Sequence, residues 1–186
     1  MIGSLLLVLG GFLFLILGLV QKTETLLTQV PTPTSTPLKV SESTPAASLG
    51  ISGEKVLVTK VIDGDTIEIE GGRKVRLIGI DTPETVDPRR PVGCFGREAS
   101  SETKGLLEGR EVILVKDVSE TDRFGRLLRY VYIEREDGFL FINDHLVRRG
   151  FAKASTYPPD VKFTEQFLQA EREARETKRG LWGECI

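Results

Sequence analysis

The sequence predicts an α+β domain, a small β-barrel with helices packed around it. Three observations carry that prediction. Short apolar runs with strand-like alternation follow one another closely from residue 54 onward. Helical patterns are inserted among the later runs and appended after them, instead of alternating regularly with strands. Glycine-bearing turns separate the runs, as the corners of a small barrel require.

Each element has its own signal. KVLVTKVI, residues 55–62, reads as a strand. DTIEIE, residues 65–70, alternates apolar and polar, which places Ile67 and Ile69 on one buried face. EGGRK is a hairpin turn built on Gly71 and Gly72. KVRLIGI follows as a third strand, and REVILVKDV and RLLRYVYIE as two more, with FLFIN closing the last into a hairpin. REASSETKGLLEG is helical and stops at Gly109. INDHLVRRG is a second helix, with Asn143 or Asp144 as its cap and Gly150 as its stop. TEQFLQAEREARETKRG is a third, capped by Thr164 and ending at Gly180. Phe163, Phe167, Ala170 and Ala174 share one face of it, and Glu171 and Arg175 form an i,i+4 pair.

Two segments precede the domain. Residues 2–20, IGSLLLVLGGFLFLILGLV, are uncharged and almost wholly apolar. As a helix they would be roughly 28 Å long, about one hydrocarbon core. Residues 1–22 are therefore expected to be a transmembrane anchor, or else a cleaved signal peptide. The missing charged leader and the missing small-residue cleavage pattern favour the anchor. Residues 23–53 are rich in Pro, Thr and Ser and are expected to be a disordered linker. Residues 54–186 form the folded domain. The domain is expected outside the cytoplasm, membrane-anchored or secreted, with orientation only weakly encoded because Lys22 and Glu24 nearly cancel after the span; it is also expected to be a monomer.

Composition narrows the chemistry. The 186 residues carry a net charge of −2, which supplies no bulk attraction for nucleic acid. One histidine, His145, argues against histidine-rich zinc sites and a Ser-His-Asp triad. There is no glycine-rich phosphate loop of the GxxxxGK type. What stands out is acidic. In VIDGDTI, Asp63 and Asp65 flank Gly64; in GIDTPET, Asp81, Thr82 and Glu84 follow an apolar strand directly. The hairpin at Gly71 and Gly72 makes the two strands antiparallel neighbours and brings these ends together. Hard oxygen ligands of this kind suit calcium. The EF-hand alternative fails on residue type, since Ile67 and Glu68 occupy its third ligand and glycine positions. A cation held by carboxylates can activate water and bind a phosphate. Arginine forks complement the phosphate oxygens, and Arg76 and Arg126 are the candidates.

IDGDT, RLIGIDTPET, GREAS, TDRFGR and the closing GLW together resemble the staphylococcal nuclease-like, or thermonuclease, family over about residues 54–183. The resemblance implies an OB-fold, a five-stranded barrel with three helices. It implies a calcium-dependent nuclease acting on DNA and RNA, single-stranded or frayed, that breaks P–O5′ bonds and leaves 3′-phosphates. By the same resemblance Asp65, Asp81 and the Thr82 carbonyl are the calcium ligands, with Asp63 nearby. Glu84 positions or deprotonates the attacking water, and Arg76 and Arg126 bind the phosphate. Phe124 stands where well-known members carry tyrosine. Tyr157, in the loosely similar stretch ASTYPPD, is a candidate stacking face. The loop VDPRRPVGCFG, with Arg89 and Arg90, and Arg97 just beyond it, is expected either to face the substrate or to be a plain surface loop. Cys94 and Cys185 could meet in such a fold as a disulfide. The alternative is a non-catalytic, membrane-tethered OB-fold binding nucleic acid or protein, which would be expected to have lost at least one of these acids or arginines.

Overall fold

A computed structural model describes residues 50–185. The anchor or signal segment, residues 1–22, and residues 23–49 of the expected linker lie outside the described residues.

Five strands close on themselves. They are β1 (Glu54–Asp63), β2 (Thr66–Ile69), β3 (Arg73–Leu77), β5 (Glu111–Val115) and β6 (Leu127–Arg135). Their order is β3-β2-β1-β5-β6, and β3 also pairs with β6 in parallel, which completes the barrel. β7 (Gly138–Phe141) extends β6 as a hairpin beyond that closure. β1 serves two neighbours: Glu54–Leu57 pair with β5, and Val58–Asp63 pair with β2. Two register shifts, between Val58 and Lys60 and between Val61 and Asp63, bend it across the barrel corner. The barrel interior is apolar, with Val58, Ile67, Ile69, Val75, Leu77 and Val131 fully enclosed. The alternation read in DTIEIE therefore sets the face correctly.

The expected third strand is two strands. β3 ends at Leu77, and β4 (Gly79–Asp81) leaves the barrel to pair with β8 (Lys153–Ser155). The break is at Gly79, whose φ of +80° is costly for any side chain, and a Cβ there would stand 2.3 Å from the Phe167 ring. This turn swings Asp81 out of the barrel wall.

Among the described residues, four α-helical segments pack around the barrel where three were expected. α1 (Gly96–Leu107), α2 (Ile142–Arg148) and α3 (Thr164–Glu176) match the expected ones, and α4 (Leu181–Glu184) is an added single turn. α3 stops at Glu176 instead of Gly180, and Lys178 turns left-handed just beyond it. Phe167, Ala170 and Ala174 are its buried face, and Phe163 packs edge-on against Tyr130 at 4.6 Å. The Glu171–Arg175 pair forms at 3.1 Å.

The predicted caps are not caps. Thr164 is the first helical residue, preceded by Phe163, and its buried hydroxyl has no partner. Asn143 lies inside α2, after Phe141 and Ile142, with its side chain used across the fold. Its Oδ1 accepts from the Val131 N–H at 2.9 Å, and its Nδ2 donates to the Ile78 carbonyl at 2.8 Å. Both partners are buried backbone groups, Ile78 where β3 gives way to β4 and Val131 within β6. Tertiary need for that bridge outweighs the capping preference. Asn143→Leu should cost about 3 kcal/mol or more, because two buried backbone groups lose their partners. A urea unfolding midpoint within error of the parent protein's would contradict this.

Candidate nuclease site

Two loops meet at one end of the β2–β3 hairpin. Asp63 ends β1, Gly64 and Asp65 form the turn, and Thr66 starts β2. Thr66 pairs with Arg76 across the hairpin, so the arginine stands beside the turn. β4 delivers Asp81 and Thr82 to the same place.

Asp65 is the hub. It is buried, and its Oδ2 accepts from the Thr82 N–H at 3.0 Å and the Thr82 hydroxyl at 3.1 Å. Its Oδ1 accepts from the Thr66 hydroxyl at 3.0 Å. One Arg76 nitrogen, Nη2, reaches Asp65 Oδ2 at 3.1 Å and Asp81 Oδ1 at 3.2 Å. The other, Nη1, donates to the Leu77 carbonyl at 2.6 Å. A single guanidinium thus spans both carboxylates. Although Asp81 opens toward the cleft, partial desolvation and then the neighbouring Asp65 charge raise its carboxyl above the usual range.

Asp63 is a buttress. Burial raises its carboxyl, and Thr85 opposes that shift. Its Oδ1 accepts from the Thr85 hydroxyl at 2.6 Å and the Gly64 N–H at 2.8 Å. Glu84 folds back on its own loop: Oε1 accepts from the Val86 N–H at 2.8 Å and the Asp87 N–H at 3.1 Å. The Val86 hydrogen bond is the main reason its carboxyl is held below the usual glutamate range.

Arg126 enters from the opposite side. Its Nε donates to Asp122 Oδ2 at 2.7 Å, and its Nη1 lies 3.3 Å from the Thr66 hydroxyl. Asp122 Oδ1 also accepts from the Phe124 and Arg126 N–H groups at 2.9 and 3.0 Å, closing the DRFGR turn. Burial pushes the Asp122 carboxyl up, but the Arg126 side chain and these N–H groups outweigh it and bring it below its ordinary value.

Asp63, Asp65, Arg76, Asp81, Thr82, Glu84 and Arg126 line one open cleft of about 510 Å³. A neighbouring cleft of about 360 Å³ shares Arg76 and Arg126 and is bounded by Tyr157, Pro158, Pro159 and Ile80. Tyr157 is exposed at that second cleft. Phe124 is also exposed; it lies under Arg123 at 4.7 Å and Arg126 at 5.5 Å and lines neither cleft. The basic residues of the 86–97 region divide. Arg90 lines the acid cleft, Arg89 binds Asp87 within the loop, and Arg97 lies at a separate shallow patch beside Glu98 and Glu102. Cys94 is bonded to Cys185, with Cα atoms 5.9 Å apart.

Sequence reasoning passed over four residues here. Thr66 and Thr85 hold Asp65 and Asp63, Asp122 holds Arg126, and Lys74 lines the acid cleft two residues before Arg76 on β3. Asp122 had a signal, since an Asp three residues before a glycine marks a side-chain-to-backbone turn. The threonines had none, because their partners are defined only by the contact between the two loops.

The donor set fits a hard divalent cation. Among the described residues, no three His, Cys, Asp or Glu side chains converge tightly enough to cage an ion alone. Asp65 and Asp81 nevertheless present oxygens within reach of one guanidinium nitrogen, and the Thr82 backbone is fixed beside them. Calcium accepts such mixtures of carboxylate, carbonyl and water.

Comparison with known proteins identifies the family. Residues 74–184 match the family described as staphylococcal nuclease homologue. The chain is 40% identical over 149 residues to a thermonuclease of Staphylococcus hyicus, covering 77% of this chain and 86% of that one. It is 41% identical over 139 residues to a thermonuclease of Staphylococcus intermedius, covering 73% and 80%. Similarity to the endonuclease YncB of Bacillus subtilis is 36% over 132 residues, covering 68% and 61%.

Proposed function

The chain belongs to the staphylococcal nuclease family and is a nuclease, and from that premise we propose that it is a calcium-dependent phosphodiesterase acting on DNA and RNA, breaking the P–O5′ bond and leaving 3′-phosphate ends. The observation that carries the reading is the convergence of Asp65, Asp81, Glu84, Arg76 and Arg126 on one cleft. Three acids and two forks face a space large enough for a phosphodiester.

Asp65, Asp81 and the Thr82 carbonyl would hold calcium. When bound, the ion supplies positive charge against a phosphate oxygen and makes nearby water more acidic. Arg76 on β3 and Arg126 just ahead of β6 approach from different segments, so they can grip separate phosphate oxygens and neutralise charge as it builds at phosphorus. Asp122 and the Leu77 carbonyl hold these forks in place beforehand, which limits the reorganisation left for the reaction. Glu84 accepts a hydrogen bond from the attacking water and turns it toward phosphorus. Two backbone N–H groups already stabilise its charge, so it is a poor proton sink and acts chiefly by orientation. Tyr157 offers a stacking face beside the phosphate site, which favours single-stranded or frayed chains. Phe124, lacking a hydroxyl, contributes no hydrogen bond to a phosphate.

The Cys94–Cys185 bond supports an oxidising, extracytoplasmic location for the domain, anchored through residues 2–20 or secreted.

The test is single-stranded DNA cleavage by the full protein with millimolar calcium, with a chelator, and with Glu84→Gln. Cleavage should require calcium, and Glu84→Gln should lower kcat by about a hundredfold with a smaller effect on KM. Equal cleavage in the chelator would end the calcium reading.

A further inference from the structure

The Asp81–Pro83 stretch that walls the acid cleft also borders the disulfide. Cys94 and Cys185 line a cavity of about 210 Å³ whose wall includes Asp81, Thr82 and Pro83. The chain that leaves Glu84 returns to it at Gly93. There the Gly93 N–H donates to the Glu84 carbonyl at 2.8 Å. The approach is so close that a Cβ on Gly93 would stand 2.8 Å from the Pro83 Cβ. Val86 and Asp87, whose N–H groups hold the Glu84 carboxylate, belong to the loop this contact closes.

Cys94 is the next residue. Its partner, Cys185, closes α4, with its N–H donating to the Leu181 carbonyl at 3.1 Å. Leu181 is buried, and its N–H donates to the Gly150 carbonyl at 2.9 Å, at the end of α2. A covalent path therefore runs from the helical body of the domain to the loop that carries Glu84. Without it, residues 86–93 would rest on the Gly93–Glu84 backbone hydrogen bond and on the anchors at their two ends, Thr85 on Asp63 and α1 from Gly96 onward, and one backbone hydrogen bond contributes little net stability against the entropy of the span between.

Resting on the reading that Glu84 orients the attacking water, we propose that the Cys94–Cys185 disulfide is a positioning element for Glu84. It clamps Gly93 against Pro83 and the Glu84 backbone, and it makes turnover sensitive to thiols. Cys94 is exposed, so a dithiol can reach the bond. Reduction breaks S–S, moves two electrons and two protons from the dithiol to the cysteines, and closes the dithiol as its own disulfide. The loop then loses its outer tether while Asp65, held by Thr82 and Thr66, and Asp81, held by Arg76, keep theirs.

The test is a double-mutant cycle. Cys94→Ser/Cys185→Ser is made in the parent protein and in Glu84→Gln, and kcat and KM on single-stranded DNA are measured with calcium. Folding at the assay temperature is followed by circular dichroism. The expected result is a kcat loss between about threefold and thirtyfold in the parent, with KM changed less than about twofold, and no further loss in Glu84→Gln. Unchanged kcat, or equal losses in both backgrounds, would overturn the proposal. Should the disulfide-free protein unfold, Gly93→Ala with the bond intact probes the same contact. It must show a kcat loss confined to the protein bearing Glu84, and equal losses again overturn the proposal. A Glu84→Gln protein as fast as the parent would instead remove the role of Glu84, a failure the cycle separates from failure of the clamp.

Discussion

Arg126→Lys is expected to lower kcat by roughly a thousandfold while leaving the fold intact. Arg126 uses its fork twice over. Nε is committed to Asp122 at 2.7 Å, and Nη1 reaches toward the Thr66 hydroxyl in the acid cleft. A lysine has one point of charge and cannot satisfy Asp122 and face a phosphate together. Its ammonium would settle on Asp122, leaving the developing charge on phosphorus opposed from one side only. The effect should fall on kcat more than KM, because the interaction strengthens as charge accumulates. Arg126 is only half-buried at the start of a strand, so thermal melts of parent and variant should nearly coincide. Steady-state kinetics together with a melt decide the matter. A loss of less than about tenfold would mean that Arg126 does not face the reacting phosphate.

Asp65→Asn should be nearly as damaging, for a different reason. The amide keeps the shape of the carboxylate and can still accept from Thr82, but it removes the charge that draws a cation. It also removes one of the two carboxylates that Arg76 spans, which leaves the guanidinium free to turn wholly toward Asp81. Calcium affinity should fall at least about a hundredfold, since a lost ligand should cost no less than the loss of an outer supporting group. Calorimetric titration with calcium reads this directly. Cleavage at millimolar calcium should fall with it and recover in part at higher calcium. Parent-like calcium binding by Asp65→Asn would remove Asp65 from the ligand set.

These two residues also show what a linear reading can and cannot reach. Asp65 and Asp81 were legible because residue type, a proline-bounded strand end and one glycine hairpin constrain them locally. The Thr66–Arg76 register follows from that hairpin, and so does the meeting of the DGD and DTPE ends. Strand faces were legible for the same reason, since side chains alternate along a strand whatever lies beyond it. The approach of Arg126 to the acids was not legible, because it depends on β6 closing against β3, a parallel pairing between segments about fifty residues apart.

The sequence by itself determined the barrel, its helices and the chemical identity of the cleft, because periodicity, turn glycines and clustered acids act over a few residues. Only the tertiary structure decided the rest. It broke the third strand at Gly79, drew Asn143 from a capping role into a bridge between β4's approach and β6, and set Thr66, Thr85 and Asp122 around the charged groups. It also joined Cys94 to Cys185 behind the Glu84 loop. Each of these depends on which buried group lacks a partner once the barrel has closed. That need is satisfied across space by whatever side chain the fold brings near, and local propensity yields to it.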